Sequence, residues 1–134
     1  MTETIETIAR VLRQGPPLRL AVLFGSVAKG TSHATSDIDI AVWPLDEALA
    51  LSAELNLTAA LALELRRDVD LVRLDRANTL LRWQVARDGV LVLAEPHYEW
   101  SRFRAQAASE HADAGASLRH AAELFRRRIL RGPT

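Results

Sequence analysis

The sequence contains no cysteine. Disulfides and thiolate metal sites are therefore excluded, and the composition suits a reducing compartment. It also lacks an excess of charge of either sign, because 17 Lys and Arg balance 17 Asp and Glu. A protein that grips a long polyanion ordinarily carries a basic surplus, so duplex nucleic acid is not expected as the main partner. No uncharged apolar run approaches the ~18 residues that span a bilayer. The best candidate, Leu55 to Leu63, is far shorter, and no membrane association is expected. The opening MTETIETIAR carries Glu3 and Glu6 and lacks the basic-then-apolar order of a secretory leader, so the expected location is the cytoplasm. Repeats and low-complexity tracts are absent as well.

What is present is an ordinary globular composition over 134 residues, 49% apolar and 25% charged. That is enough chain for one buried core, and a single domain over 1–134 is expected. Its core is placed at about 5–95, with a C-terminal helical segment at 97–130.

Residues 2–14 carry Ile5, Ile8, Ala9 and Leu12 at helical spacing, with Thr2 or Thr4 as a cap. Gly15-Pro16-Pro17 ends that helix. Leu18 to Phe24 is an apolar run between turn residues and reads as a strand. Val27 to Lys29 can form a helical turn, followed by a polar loop over Gly30 to Ser36. Asp37 to Trp43 reads as a second strand, stopped by Pro44. Asp46 stands where a cap is expected for an Ala/Leu-rich helix over 47–66. Val69 to Leu74 reads as a third strand and 76–87 as a helix, which Gly89 closes in the left-handed conformation. Val90 to Ala94 is the fourth strand, and a helix runs from Tyr98 to about Arg128, with Gly115 as a weak point. The order predicts an α/β fold of mixed α+β character, about four strands in a mixed sheet flanked by helices.

The chemistry is carried by Gly25-Ser26, ten residues, then Asp37-Ile38-Asp39. A strand that ends in Gly-Ser and opens into a helical turn presents backbone N–H groups to an anion. Glycine lets a phosphate approach the backbone closely, and the Ser26 hydroxyl adds a hydrogen bond. Asp37 and Asp39, two apart on a strand, share one face at roughly 6.6 Å spacing. Unneutralised, charges that far apart repel by about 2.5 kcal/mol at an effective dielectric of ~20, a cost that a bound cation relieves. Oxygen-only ligands beside a phosphate point to Mg²⁺. Asp70 sits within the apolar run Val69-Asp70-Leu71-Val72, where a charge is costly unless paired or ligating metal. If its strand lies beside the second, three carboxylates can hold two Mg²⁺ ions for attack on a phosphate, with Asp70 as general base or metal bridge. Singly these features have plain readings as a turn, a solvated face, or an edge Asp70 paired with Arg73 or Arg67; together they form a constellation.

The run FGSVAKGTSHATSDIDIAV, from Phe24 to Val42, with Asp70 on a later strand, resembles the signature of the DNA polymerase beta-like nucleotidyltransferases. It is similar in particular to their minimal (MNT) group and, within it, to the MntA type. The resemblance covers roughly residues 5 to 95 and implies the polymerase beta-like nucleotidyltransferase fold. It implies that Asp37, Asp39 and Asp70 are catalytic metal ligands and that Gly25 and Ser26 bind the nucleotide phosphates, with ATP as substrate. It further implies an antitoxin that transfers AMP to a tyrosine of a HEPN-domain RNase toxin. Two rivals stay open at this point, a non-catalytic antitoxin that masks the toxin by binding and a small-molecule nucleotidyltransferase.

Lys29, three residues after Ser26, is placed to reach a triphosphate, although a solvated lysine is an equal reading. His33 reads as a loop residue near the pocket. Arg73 alternates away from Asp70 in a regular strand. Trp100, Phe103, Ala107, Ala114, Leu118, Phe125 and Ile129 form a stripe that reads as packing on the chain's own sheet, with a partner or dimer surface as the alternative. Arg126 to Arg128 read as a solvated helix end or an acidic-partner contact. Oligomeric state, homo- or hetero-, stays open.

Overall fold

The computed structural model describes residues 1–31 and 37–131. In chain order it contains α1 (Thr2–Arg13), β1 (Leu18–Phe24), α2 (Gly25–Lys29), β2 (Ile38–Pro44), α3 (Leu51–Leu65), β3 (Val69–Arg73), a 3-10 turn (Leu74–Arg76), α4 (Thr79–Asp88), β4 (Val90–Ala94) and α5 (Glu99–Arg131). His33 lies outside the described residues.

The sheet has the order β3-β2-β1-β4. β1 pairs antiparallel with both β2 and β4, whereas β2 and β3 run parallel. The mixed sheet follows from the connections. α2 follows β1 directly, and β2 returns antiparallel beside β1, while α3 carries the chain back over the sheet so that β3 can start beside the start of β2.

Both faces of the sheet are covered. On one, Leu18, Ala21 and Leu23 of β1 and Ile38, Ile40 and Val42 of β2 pack with Ile8, Val11 and Leu12 of α1 and Leu57 and Leu61 of α3. On the other, Leu20, Val22 and Ala41 pack with Leu74, Val85, Ala86, Phe103 and Ala107 beneath α4 and α5. Leu18 and Ala21 share a face despite odd spacing because an irregularity between Leu18 and Leu20 shifts the register. This double coverage explains why β1 reads as a continuous apolar run.

Several boundaries differ from expectation for local reasons. Neither Thr2 nor Thr4 caps α1, which starts after Met1 without a side-chain cap. Asp37 precedes β2 rather than belonging to it. Asp46 caps no helix: its carboxylate accepts from the Ala48 N–H within a turn, and α3 begins only at Leu51. Asn78 caps α4 through the Leu81 N–H, so that helix starts at Thr79. Gly115 does not interrupt α5. Gly89 is extended (φ −72°, ψ 155°) and not left-handed. Its glycine is needed for space, since a Cβ would collide with Val22 and with the Val85 carbonyl. Among the described residues no helix is long and apolar enough to cross a membrane.

Gly89→Ala should therefore destabilise the fold by about 1–3 kcal/mol through overpacking. A lowered urea midpoint at unchanged slope is the expected reading. An unchanged midpoint would show that the α4–β4 junction yields freely.

Candidate active site

The site is assembled where β1 ends and β2 and β3 begin. Phe24, the last residue of β1, is the antiparallel partner of Asp39. Asp39 is in turn the parallel partner of Asp70. Neighbouring residues in register project to the same side of a sheet, so these two carboxyl groups share a face. That face is the α4–α5 side, because Ile38 and Ile40 flank Asp39 and belong to the opposite core. Asp37 stands one step before β2, on the approach to the same end of the sheet.

The three acids differ in environment. Asp39 is half-buried, whereas Asp37 and Asp70 are exposed. The Asp39 carboxyl is held above the ordinary carboxylate range, first by burial and then by the negative charges of Asp70 and Asp37. The three groups thus feel one another electrostatically, and Asp39 is the centre of the set. Asp70 is not buried as its apolar neighbours suggested; β3 is the edge strand, which lets it reach solvent.

Gly25 presses on this centre from β1. It adopts φ +76°, a left-handed conformation that disfavours other residues. A Cβ there would collide with the Asp39 carboxylate. Two independent requirements therefore select glycine: the turn out of β1 and the close approach to an acid. Ser26 follows in the first turn of α2, which has no side-chain cap. Its first-turn N–H groups are left for another acceptor. The Ser26 carbonyl accepts from the Thr31 N–H at 3.0 Å, which folds the start of the following loop back onto α2.

Lys29 ends α2, and its ammonium lies 3.7 Å from the Asp88 carboxylate at the end of α4. Asp88 also accepts two hydrogen bonds from Arg87 and is held below its ordinary range, chiefly by that residue. The Asp88 contact has no signal in the sequence, because it depends on how α2 and α4 pack. Arg73 points away from the acids, as its alternation requires. It is buried and binds Asp75, Glu54 and the carbonyls of Glu47 and Leu49.

The donor set is entirely oxygen, which suits a hard divalent cation such as Mg²⁺. Among the described residues no three acidic side chains are closed around a common cation position. The fit rests instead on the accumulated negative charge at Asp39, which a cation would neutralise. A groove of about 610 Å³ lies at the other end of β1, between Leu12, Pro17, Leu18 and Pro96, remote from these acids.

The sequence model of the polymerase beta nucleotidyltransferases matches residues 6–97. The chain belongs to that family. This nucleotidyltransferase is 47% identical to the protein adenylyltransferase MntA of Shewanella oneidensis over 83 residues. The match covers 61% of this chain and 59% of that relative, which is less than two thirds of its length. A crystal structure of a toxin–antitoxin with AMP-PNP has a chain that superposes with a TM-score of 0.77 at 34% identity, covering 90% of this chain and 97% of the other. The tri-AMPylated Shewanella oneidensis HEPN toxin in complex with MNT antitoxin gives 0.71 at 30%, covering 92% and 97%. The expected mixed fold and family are both borne out.

The raised Asp39 value makes a prediction about stability. Its native state holds the Asp39 proton more tightly than the unfolded chain does. The resulting contribution is present at acid pH and is lost as pH rises through the raised native value. At neutral pH, without divalent cations, the ionised cluster therefore opposes folding. Asp39→Asn should raise the melting temperature by a few degrees in EDTA, and that gain should vanish near pH 3. A variant less stable than wild type at pH 7 would show that the acids do not repel.

Proposed function

We propose that this nucleotidyltransferase is a protein adenylyltransferase that transfers AMP from ATP to a tyrosine of a HEPN-domain toxin and so acts as its antitoxin. The observation that carries the reading is the in-register pair Asp39 and Asp70, with Asp37 beside it and Gly25 against it. Relatives named as adenylyltransferases and a solved complex with a tri-AMPylated HEPN toxin support the choice of acceptor. The cytoplasm is the compartment that suits ATP, Mg²⁺ and an RNase target.

Asp37, Asp39 and Asp70 would hold two Mg²⁺ ions. Bound there, the metal would neutralise the triphosphate and the charge that develops on the leaving group. The chain's own groups do the rest. Gly25 and the uncapped start of α2 admit a phosphate close to the backbone, and Ser26 donates its hydroxyl to a phosphate oxygen. Lys29 leaves Asp88 to meet the triphosphate. Asp70, the exposed acid of the edge strand β3, accepts the phenolic proton. The tyrosine oxygen bonds to the α-phosphorus while the bond from that phosphorus to the α,β-bridging oxygen breaks. Pyrophosphate leaves with the electron pair, and AMP remains on the toxin.

With ATP, Mg²⁺ and its cognate HEPN-domain toxin, the toxin should gain about 329 Da per event. Asp39→Ala should slow that gain at least ~100-fold by removing the central ligand. Mass spectrometry gives the readout, and RNase activity of the toxin should return with the variant. If Asp39→Ala protects as well as wild type, protection comes from masking rather than modification.

A further inference from the structure

The α5 helix has 33 residues, about 50 Å of rod, and only its first half is used by the fold. Phe103 and Ala107 are buried under the sheet. His111 stacks on Trp83 at 4.6 Å, and Glu110 pairs with Arg82 at 3.6 Å. Beyond Gly115 the support ends. Leu118 is 72% exposed, Phe125 64% and Ile129 60%. With Ala121 and Ala122 they fall within an arc of about 100°, a seam at the spacing of a helix that lies in a groove. The expectation that the whole stripe packs on its own sheet therefore holds for Trp100 to Ala107 and fails for Leu118 to Ile129.

This half of α5 is also electrostatically distinct. Residues 116–131 carry five Arg and one Glu, a net +4, in a neutral chain whose remainder therefore carries −4. Two such segments repel each other, which disfavours a second copy on the seam. Leu124 and Leu130 are exposed too but stand outside that arc, among the arginines. Apolar and basic side chains therefore alternate around the helix instead of dividing into the one broad apolar face and one polar face of a helix lying on a lipid surface. The family match ends at residue 97, so the catalytic core shared by the family includes none of this segment.

We infer that the distal half of α5 is a docking helix for the protein acceptor. Leu118, Phe125 and Ile129 enter an apolar groove on that partner, and Arg126 and Arg128 meet carboxylates on its rim. The inference rests on the proposed function, because it takes the acceptor to be the HEPN toxin.

The test is titration calorimetry of the full chain against its cognate HEPN-domain toxin. A variant carrying Leu118→Ser, Phe125→Ser and Ile129→Ser should bind at least about 100-fold more weakly. ATP affinity and helix content should not change, since these side chains support nothing in the fold. A second variant, Arg126→Glu with Arg128→Glu, should slow association and flatten its salt dependence. Wild-type affinity in the serine variant overturns the inference while adenylylation of the toxin still upholds the function. Failure of the wild-type chain to bind or modify the toxin overturns both. Dimerisation of wild type in sedimentation, or binding to phosphatidylserine vesicles, overturns the inference if the serine variant abolishes it.

Discussion

Everything at this site depends on like charge held together by backbone pairing. Asp39 and Asp70 are register partners on adjacent parallel strands, so their separation is fixed by the sheet and cannot relax without breaking the ladder. Carboxylates opposite one another destabilise a sheet. Asp37 adds a third negative charge, and Asp39 responds with a raised proton affinity. Such an arrangement persists in a folded protein when it is exposed enough for water to moderate it and when a ligand repays it. The first condition holds here, with Asp70 on an open edge strand, and the proposed cation and nucleotide would meet the second beside the close-approach glycine.

The remainder of the fold serves that geometry. The order β3-β2-β1-β4 puts the strand bearing Asp39 between the strand bearing Asp70 and the strand that delivers Gly25. Two apolar layers clamp β1 and β2 so that their ends are fixed relative to each other. Arg73 performs the matching task on the far side of the edge strand. Its buried guanidinium joins Asp75, Glu54 and two carbonyls of the β2–α3 connection, which ties β3 to α3. Removing it would leave buried carboxylate and carbonyl groups without a donor, so its neighbours tolerate little change.

The strands were legible because apolar runs such as Leu18 to Phe24 and Val90 to Ala94 sit between strong turn signals. The acids were legible because Gly25-Ser26 and Asp37-x-Asp39 are close in sequence. What the sequence leaves open is tertiary. Asp70 stands out in the sequence by its apolar neighbours, yet it is exposed; its place with the other acids depends on its strand lying beside the second, and register, which periodicity cannot fix, is what brings it to Asp39. Gly89 looked like a left-handed helix end, whereas packing against Val22 is what excludes a side chain there. Asp46 has the chemistry of a cap and spends it on a turn. The α5 stripe keeps one period throughout, so nothing local marks where the supporting body stops. Lys29 and Asp88 meet only because α2 and α4 pack together.

The central claim is that the three carboxylates form one cation site beside the phosphate-binding turn. Crystals grown with Mn²⁺ and a non-hydrolysable ATP analogue test it most directly through anomalous scattering. The account predicts a manganese peak within about 2.0–2.4 Å of oxygens from Asp37 and Asp39, with Asp70 completing the ligand set and the α-phosphate beside Gly25 and Ser26. Manganese bound away from these acids, with the nucleotide elsewhere on the sheet, would contradict it.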